Sequence, residues 1–460
     1  MRLRLPNHLL PPTPDAYLVG GAVRDLILGR RPIDYDLAVA GDPAVFAGRL
    51  ARHLNGRLVE LGKDRFTLYR VVSPAGCVDV SSLKEGCLTT DLLSRDFTIN
   101  ALACRLDNNQ VIDPLRGLDD LERHTIRMVS ADNLQSDPIR LLRAHRMAVE
   151  LRFHIDRATR LAIGQYAPLI RNSAGERIWT EWQVILSSPA GTRQIFGMAA
   201  NGLLETLVPE LSSLRRCAQN KHHAYSAFAH TLAAYRALET LLAEHRRMLP
   251  PGVATLIAAM DRPTRITLKL AVLLHDIGKP ATRSQEHGET THFYGHAARG
   301  ATIADGLLRR LRAPSRIRTG VCSIIQHHQR PLSLFLNQSA RAEGRFYRIC
   351  AEQTPYILLH AIADTMGKTP APATQSAPLL DYFKHLLTHY VDTIQPALQG
   401  PPLLTGKDLT DLFGLPPSPR FAKILKAAAD AHLAGLFSNR PAALQWLQHH
   451  LQQAPTDDSS

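Results

Sequence analysis

The segments YLVGGAVRD, at residues 17–25, and DYDLAVA, at residues 34–40, decide how the first part of the chain folds. Both contain a short β-rich apolar run, and in the first segment that run ends at two glycines before a helix-type run begins. Glycines at a strand–helix turn let backbone N–H groups approach a phosphate closely, so Gly20 and Gly21 are candidates for phosphate binding. A Gly-Gly pair is also common in plain tight turns, and alone it does not identify a site.

Two carboxylates open the second segment. Asp34 and Asp36 are two residues apart at the start of a predicted strand, so their side chains share one face. Two like charges this close favour a divalent cation between them, and Mg²⁺ is the expected ion. Such a pair can hold two metals for in-line phosphoryl transfer, whereas the alternative is a solvated turn. Asp79, between valines in CVDV, is either a third catalytic carboxylate or an ordinary acid on an edge strand.

Alternating β-rich and helical runs fill the first hundred residues. We expect strands at 16–19, 35–39, 66–72 and 77–81, helices at 24–28 and 45–54, and a hairpin at 104–112 that turns through 107–109. Amphipathic runs at 139–151, 226–242 and 267–275 predict a helical remainder, and the Pro- and Ala-rich residues 368–378 predict a linker. The expected fold class is α+β: a small mixed-sheet head followed by a largely α-helical remainder.

Length and charge narrow the class of protein. The 460 residues suffice for about three domains, and 54 Lys and Arg against 41 Asp and Glu give a net charge of +13, which favours a polyanionic partner such as nucleic acid. No apolar run reaches the roughly 18 residues of a membrane span, so we expect no membrane partner and a cytoplasmic location. The six cysteines form no C-x-x-C pair, which argues against a disulfide framework and a thiolate zinc site.

Three motifs occur in a specific order: GGAVRD at residues 20–25, DYD at 34–36 and RDFTINA at 95–101. Together they resemble the class II tRNA nucleotidyltransferase and bacterial poly(A) polymerase family, and residues 113–121 are similar to that family's hinge between head and neck. The resemblance implies Asp34 and Asp36 as metal ligands. The candidate nucleotide-binding residues of these motifs are Gly20, Gly21, Arg24, Arg95, Asp96 and Asn100.

Apart from the resemblance, Asp96 and Asn100 are four residues apart on a predicted helix. That spacing suits a ribose contact or merely a polar helix face.

Asp137 and Arg140 are the candidate pair for choosing the base. Pro138 suits the first turn of a helix, which places these two residues three apart. Cytosine and adenine each present an amino donor beside a ring-nitrogen acceptor, so a carboxylate can accept from the first while a guanidinium donates to the second. Guanine and uracil reverse that order. The alternative is a helix cap at Asp137 and a solvated Arg140; the segment resembles the family's Glu-Asp-x-x-Arg motif, with Ser136 in place of Glu.

Further arginines follow on the same predicted helix and beyond it. Arg143 and Arg146 are candidates for nucleotide binding. These two and Arg152, Arg157, Arg160 and Arg171 are also candidates for contacts with an RNA backbone, each with a solvated helix charge as the alternative.

A second site is predicted around His275-Asp276, at the end of the apolar run KLAVLL. His230 precedes this pair and Asp364 follows it, and such a set of imidazoles and carboxylates suits a divalent transition metal or Mg²⁺ with open positions for water. A buried His–Asp hydrogen bond is the alternative.

The order His, His-Asp, Asp resembles the HD phosphohydrolase superfamily over residues 216–370. His296, with His327 or its neighbour His328, matches auxiliary positions for a second metal. The resemblance implies hydrolysis of a phosphomonoester or phosphodiester.

The sequence therefore predicts four parts: a nucleotidyltransferase head (1–135), a helical neck and RNA-binding region (136–215), an HD domain (216–370) and a C-terminal helical segment (380–455). The function implied by the resemblance is template-independent addition of C and A from CTP and ATP to the 3′ end of tRNA. A CC-only or A-only enzyme is an alternative, and a poly(A) polymerase is disfavoured because residues 65–69 lack a more basic stretch. An HD phosphohydrolase with an RNA-binding head is an alternative from another class. The oligomeric state stays open.

Overall fold

A computed structural model describes residues 1–6, 8–62, 68–217, 226–285, 291–368 and 373–453. The chain divides into two compact units, Met1–Leu207 and Val208–Ser460. Among the described residues, none of the helices is long and apolar enough to cross a membrane. A mixed sheet followed by mostly helical structure confirms the expected α+β fold class.

A seven-stranded mixed sheet lies at the centre of the first unit. Its strands are β1 (Ala16–Val19), β2 (Tyr35–Val39), β3 (Arg57–Leu61), β4 (Leu68–Ser73), β5 (Gly76–Ser82), β6 (Ala103–Arg105) and β7 (Val111–Ile112). They are ordered β3-β4-β5-β2-β1-β6-β7, and each neighbouring pair is antiparallel except β2 with β5. The parallel pair aligns Asp36 with Asp79, so two of the predicted carboxylates lie side by side.

Ten helices and a second small sheet complete the described part of this unit. The helices are α1 (Gly21–Ile27), α2 (Pro43–His53), α3 (Leu88–Leu93), α4 (Gly117–Glu122), α5 (Ala131–Ser136), α6 (Ile139–Leu151), α7 (Arg157–Tyr166), α8 (Gly175–Ser187), α9 (Gly191–Ala200) and α10 (Leu203–Leu207). Strands β8 (Thr125–Ile126) and β9 (His154–Ile155) pair in parallel. 3₁₀ turns lie at Lys84–Gly86, Thr98–Asn100 and Ala167–Asn172.

Helix α6 links the buried core of this unit to its polar surface. Its apolar residues, including Leu141 and Leu142, are fully buried, and it packs against α8, whose Trp182 is also fully buried. Arg140, Arg143 and Arg146 recur every three residues and share another face of the helix. The helix is therefore a rigid support for three positive charges.

The second unit is almost wholly helical. Its helices are α11 (Glu210–Arg215), α12 (Ala227–Ala243), α13 (His245–Met248), α14 (Pro251–Ala258), α15 (Arg262–Leu274), α16 (His296–Arg310), α17 (Ser315–His327), α18 (Arg330–Asn337), α19 (Ala340–Cys350), α20 (Thr354–Met366), α21 (Ala373–His389), α22 (Gln395–Gln399), α23 (Gly406–Asp411), α24 (Pro419–Leu433) and α25 (Arg440–Gln453). 3₁₀ turns lie at Lys279–Thr282 and Ala351–Gln353, and a π-helical turn at Tyr390–Ile394. β10 (Ser284–Gln285) and β11 (Thr291–His292) pair in antiparallel orientation. Helices α12, α15, α17 and α20 pack together, and this packing brings distant histidines together.

Most strongly patterned elements match their predictions. The strands at 16–19 and 35–39 and the helix at 139–151 have the predicted bounds, and the hairpin of β6 and β7 is present. Strand β3 was not predicted, because it is an edge strand that is largely exposed and so lacks a regular apolar alternation. Residues 65–67, which bear on the predicted strand at 66–72 and on the poly(A) polymerase alternative, lie outside the described residues.

Two local predictions are wrong. Asp96 and Asn100 do not share an α-helix: Phe97 is extended and a 3₁₀ turn covers Thr98–Asn100. The predicted linker at 368–378 is partly helical, because α21 begins at Ala373 and contains Pro378, while residues 369–372 lie outside the described residues. Alanine favours helix, and one proline removes only one backbone donor, so this composition did not exclude a helix.

Candidate functional site

Three neighbouring strands place the predicted carboxylates. Asp36 in β2 is the register partner of Val19 in β1 on one side and of Asp79 in β5 on the other. Asp34 immediately precedes β2, and the side chains of Asp34 and Asp36 are exposed, whereas Asp79 is buried. The sheet thus gathers three acids at the end of β1, where the glycine turn begins.

The electrostatic surroundings of these acids differ. Asp79 accepts two hydrogen bonds from Arg70, its register partner in β4, each of 2.7 Å. Asp36 reaches solvent, yet burial by the surrounding protein raises its pKa; Arg95 opposes this effect, and the charges of Asp79 and Asp34 add to it. A carboxylate whose ionised form is disfavoured by its neighbours is a suitable ligand for a cation. Sequence reasoning missed Arg70, which only the cross-strand register identifies.

The glycine turn approaches Arg95 closely. Gly20 has φ +75°, and a Cβ atom at this position would lie 2.6 Å from Nη1 of Arg95. Arg95 donates to Asp91 from Nη2 at 2.9 Å, so its side chain is held from the other side. Only glycine combines this backbone conformation with this close approach.

Asp96 is the centre of a buried hydrogen-bond network. Its Oδ1 accepts from the backbone N–H of Phe97 at 2.8 Å and from Nδ2 of Asn100 at 2.9 Å, and its Oδ2 accepts from Nη1 of Arg143 at 3.1 Å. Burial opposes ionisation, but Arg143 and these hydrogen bonds lower the pKa of Asp96 overall. Asn100 in turn accepts from Nη1 of Arg24 at 2.6 Å. The predicted contact between Asp96 and Asn100 exists, although the backbone that makes it is not an α-helix.

The arginines of α6 are held from behind by acids and carbonyl groups. Glu181 of α8, which sequence reasoning missed, accepts from both Arg143 and Arg146. Arg140 donates through Nη1 to the carbonyl oxygens of Ser94 and Asn133, each at 3.1 Å, and its buried Nε has no partner among the described residues. These contacts fix the three guanidinium groups before any ligand binds.

One cavity of about 420 Å³ collects most of the predicted nucleotide-binding residues. Those that line it are Gly20, Gly21, Arg24, Arg95, Asp96, Asn100, Arg140, Arg143 and Arg146, together with Asp36 from the carboxylate group. The cavity is therefore lined by five arginines and by three acids, which are Asp36, Asp96 and Glu150, so positive charge is in excess. Arginine forks in a partly enclosed cavity are suited to phosphate groups.

Asp137 is the predicted nucleotide-binding residue that does not line this cavity. It accepts from Nη2 of Arg177 at 2.9 Å, and its closest approach to Nε of Arg140 is 3.9 Å, which is too long for a hydrogen bond. It does not cap α6 either, because Pro138 is the residue that precedes the helix. Asp34 and Asp79 likewise do not line the cavity.

The second unit brings six potential metal ligands into two adjacent groups. His230, His275 and Asp364 form one group, and Asp276, His296 and His328 form the other, with the ligand atoms of each group within 4.8 Å of one another. His275 connects them, because its Nε2 lies 3.3 Å from Asp276 and 3.4 Å from Asp364. Both groups face a cavity of about 500 Å³, so a metal there is reachable by a ligand.

Backbone carbonyl groups orient the histidine rings of this cluster. The Nδ1 atoms of His275, His296 and His328 donate to Val272, Phe293 and Ile325, at 2.8, 2.8 and 2.6 Å. This arrangement leaves each Nε2 to face the cluster, as is usual for metal-binding histidines.

Lysines neutralise the acids of the cluster. Lys279 lies 2.8 Å from Asp276 and Lys368 lies 2.8 Å from Asp364. Burial opposes ionisation of Asp276, but His275 and Lys279 hold its pKa well below the usual range. Burial also opposes a charge on His275, yet Asp276 and Asp364 raise its pKa to about 10. Two ionised acids and four histidines fit a divalent transition metal or Mg²⁺.

The structure decides between the two adjacent histidines that were predicted as an auxiliary ligand. The ring in the cluster is that of His328 and not that of His327, which accepts from Nε of Arg330 at 3.0 Å. Adjacent residues at a helix end differ by about 100° in direction, so only one of the two rings can face the cluster.

Sequence reasoning missed His360, which is four residues before Asp364 on α20. Its ring is fully buried 4.9 Å from that of His275 and 5.4 Å from that of His328. Neither ring nitrogen has a hydrogen-bond partner among the described residues. The four-residue helical spacing to Asp364 was the available signal.

Comparison with protein families gives three consecutive matches. Residues 16–127 match the poly A polymerase head domain, residues 152–214 match the probable RNA and SrmB-binding site of polymerase A, and residues 227–366 match the HD domain. The head match contains the glycine turn and all three carboxylates, and the HD match contains all six ligands of the cluster.

Several curated relatives are similar over nearly the whole chain. The A-adding tRNA nucleotidyltransferase of Deinococcus radiodurans is 33% identical over 97% of this chain and 98% of its own. The CC-adding tRNA nucleotidyltransferase of Synechocystis sp. is 30% identical over 97% and 96%, and that of Thermus thermophilus is 33% identical over 94% and 93%.

Solved structures share the fold at lower identity. A CCA-adding enzyme in complex with ATP aligns with a TM-score of 0.66 at 20% identity, over 96% of this chain and 90% of that one. The Thermotoga maritima CCA-adding enzyme in complex with tRNA aligns with a TM-score of 0.64 at 20% identity, over 95% and 91%.

Proposed function

The chain belongs to the tRNA nucleotidyltransferase family, and we propose that its first unit adds C and A nucleotides from CTP and ATP to the 3′ end of tRNA. The observation that carries this proposal is the convergence of nine predicted nucleotide-binding residues and Asp36 on one cavity with an excess of arginine. We further propose a head at 1–135, a neck at 136–215, an HD domain at 216–370 and a C-terminal segment at 380–455.

The proposed site binds the triphosphate through backbone amides and guanidinium groups. Gly21 presents its backbone N–H at the start of α1, whereas the N–H of Gly20 donates to the carbonyl oxygen of Leu102 at 3.2 Å. Arg24 and Arg95 lie beside this turn. Arg143 acts from α6, where Asp96 and Glu181 already fix its direction. Because these groups are held in place without a ligand, little reorganisation opposes binding.

Asp34 and Asp36 are the proposed ligands of Mg²⁺, with Asp79 next to them. When bound, Mg²⁺ supplies activation of the 3′ hydroxyl and neutralisation of the triphosphate, from which pyrophosphate leaves. The protein's contribution is to align Asp36 with Asp79 through the parallel pairing of β2 and β5. Arg70 holds the carboxylate of Asp79 in place through two hydrogen bonds.

Arg140 is the proposed reader of the base. It lines the cavity and is held by two carbonyl groups, so its remaining N–H groups have a fixed direction. Asp137 acts with it in this proposal, by leaving Arg177 and accepting from the amino group of cytosine or adenine.

The test uses tRNA transcripts that lack CCA, CA or only the terminal A, incubated with the protein, Mg²⁺, CTP and ATP, and then sequenced at the 3′ end. Complete CCA on all three supports the proposal. Extension only to CC, or only from CC to CCA, identifies a partial enzyme. This is the second candidate function, because the relatives include a CC-adding and an A-adding enzyme. No extension contradicts the proposal.

Asp36→Asn is expected to abolish extension, with the exposed acid Asp132→Asn as the matched control.

For the second unit we propose metal-dependent hydrolysis of a phosphate ester. Six potential ligands facing a cavity of about 500 Å³, with Lys279 and Lys368 beside them, support this proposal. Hydrolysis of p-nitrophenyl phosphate and its diester, with Ni²⁺, Co²⁺, Mn²⁺ or Mg²⁺, is the test. Activity that His275→Ala removes without changing nucleotide transfer supports a separate site, and no hydrolysis with any of these metals contradicts it.

A further inference from the structure

His360 is a buried polar side chain beside the metal-ligand cluster of the second unit. It lies on α20, one helical turn before Asp364, and its side chain is fully buried. Neither Nδ1 nor Nε2 of His360 has a hydrogen-bond partner among the described residues. By contrast, Nδ1 of His275 and of His328 each donate to a backbone carbonyl group. The ring of His360 is therefore placed in the protein without the hydrogen bonds that hold these two.

An unpartnered imidazole at this position is unfavourable for the protein. A neutral imidazole carries one N–H and one lone pair, and on burial both lose their hydrogen bonds to water. The neighbouring residues Leu358, Leu359 and Ile362 are buried and apolar, and a leucine at position 360 would continue this pattern without that loss. The histidine is explained if a partner that binds the folded protein uses one of its nitrogens.

The rings that His360 contacts belong to two potential metal ligands. Its ring centroid lies 4.9 Å from that of His275 and 5.4 Å from that of His328, and the centroids of these two are 5.4 Å apart. Three imidazoles bound to one tetrahedral ion have centroids about 5 Å apart, because each metal–nitrogen bond is about 2 Å long. The spacing of the three rings is therefore that of ligands gathered around an ion.

The position of His360 distinguishes a metal from a substrate as its partner. His275, His328 and Asp364 line the cavity of about 500 Å³, whereas His360 does not. A substrate in that cavity therefore meets the other side chains and not His360. A metal ion held by the cluster lies among the neighbours of His360, and an imidazole lone pair is a common ligand of Co²⁺, Ni²⁺ and Zn²⁺.

We propose that His360 is a further metal ligand of this cluster, acting beside His275 and His328. The inference rests on the proposed metal-dependent function of the second unit, because it assumes that a metal binds there. With His360 the potential ligands are five histidines and two acids. This set favours a transition metal over Mg²⁺, which prefers oxygen ligands.

The experiment measures Co²⁺ binding to the whole protein by calorimetry and records the visible absorption of the bound ion, which depends on its ligands. His360→Leu has a similar volume and no ligating atom, and His360→Gln keeps a hydrogen-bonding group. His385→Leu, exposed on α21, is the matched control. Both His360 variants should bind Co²⁺ weaker by about tenfold or more and change its absorption, while the control matches the unsubstituted protein. Without metal, His360→Leu should melt at the same temperature or higher, because it removes a buried unpartnered group.

The outcomes separate this inference from the proposed function. Unchanged Co²⁺ affinity and absorption in both His360 variants overturn the inference while the metal site stands. A loss in His360→Leu that is absent in His360→Gln also overturns it, because a hydrogen bond then suffices. Weaker binding with unchanged absorption overturns it too, because His360 then only positions other ligands.

Failure of the proposed function gives different results. An unsubstituted protein that binds no Co²⁺ overturns both the function and the inference. Co²⁺ binding that depends on His360, without hydrolysis of either phosphate ester, supports the inference and contradicts the proposed hydrolysis. If His360→Leu is unstable, His360→Gln supplies the affinity and the absorption independently.

Discussion

A methyl group on Gly20 would lie 2.6 Å from Nη1 of Arg95. The guanidinium group of Arg95 is held on its other side by Asp91, and Oδ2 of Asp36 is 3.8 Å from the same Cβ position. The turn between β1 and α1 is therefore the point at which backbone, arginine and carboxylate meet.

Gly20→Ala should reduce nucleotide transfer much more than it reduces stability. Gly20 has φ +75° and ψ −139°, a conformation that costs a non-glycine residue about 1–3 kcal/mol, and Arg95 must also move from the position in which it faces the cavity. We expect kcat/KM for CTP to fall about tenfold or more. Gly29→Ala is the matched control, because Gly29 has φ +69° with nothing within 4 Å of its Cβ position. Equal losses of activity in the two variants would contradict a specific role for the turn.

Asp137 and Arg177 form an ion pair of 2.9 Å that separates two explanations of Asp137. If Asp137 helps to read the base, Asp137→Ala should admit GTP or UTP at least tenfold more readily, whereas Arg177→Ala should not. If Asp137 only holds Arg177, the two variants should behave alike and keep the preference for CTP and ATP. Incorporation of each of the four nucleotides into a tRNA that lacks CCA measures this directly.

How far the sequence predicts these sites depends on the range of the interactions. Gly20, Asp36 and Arg140 belong to local motifs, and all of them line one cavity. Arg70 and Glu181 do not belong to local motifs. Arg70 reaches Asp79 only through the strand register, and Glu181 reaches its arginines only through the packing of α8 against α6. Contacts of this kind carry no local signal, so no reading of single motifs could find them.

Helical geometry decided the details of the metal cluster. His275 and Asp276 were identified as candidate metal ligands because they are adjacent in the sequence. The choice between His327 and His328 depended on the side-chain directions at the end of α17. Adjacent residues of a helix point about 100° apart, so a choice that is wrong by one residue selects a side chain that points away from the cluster. His360 precedes Asp364 by four residues on α20, which was a local signal, but its ring neighbours His275 and His328 lie far away in the sequence.

His145 makes the stability of the first unit depend on pH. Burial lowers its pKa to about 4 from 6.5, opposed by its hydrogen bond with Gln194. Between these values the unfolded chain binds the proton and the folded chain does not, so stability is lost as pH falls from about 6.5 to about 4. We compare how far the free energy of unfolding falls between pH 7 and pH 4.5. This fall should be about 2–3 kcal/mol smaller in His145→Leu than in the unsubstituted protein.

Urea denaturation followed by tryptophan fluorescence measures this difference, because Trp179 and Trp182 both lie in α8 of the same unit. The exposed His53, replaced by Leu, is the control and should keep the pH profile of the unsubstituted protein. Parallel profiles for all three proteins would show that His145 does not titrate in this range.

Metal binding in the second unit should release a proton. Burial opposes a charge on His275, but Asp276 and Asp364 raise its pKa to about 10, so without metal Nε2 carries a proton at pH 7.5. Coordination needs the unprotonated nitrogen, and we therefore expect release of about one proton when Co²⁺ or Ni²⁺ binds this group. Affinity should then weaken by up to tenfold for each pH unit of acidification, and the release should vanish only as pH approaches 10.

Calorimetry of metal binding in HEPES and in Tris, two buffers of different ionisation enthalpy, counts the released protons. His275→Ala should bind metal more weakly and release fewer protons, and it should leave CTP incorporation unchanged. His385→Ala, an exposed histidine of α21, should match the unsubstituted protein in all three measurements. Unchanged metal affinity in His275→Ala would remove this histidine from the site. Binding without proton release would mean that the acids do not keep His275 protonated, and the charge balance derived from Asp276 and Asp364 would then be wrong.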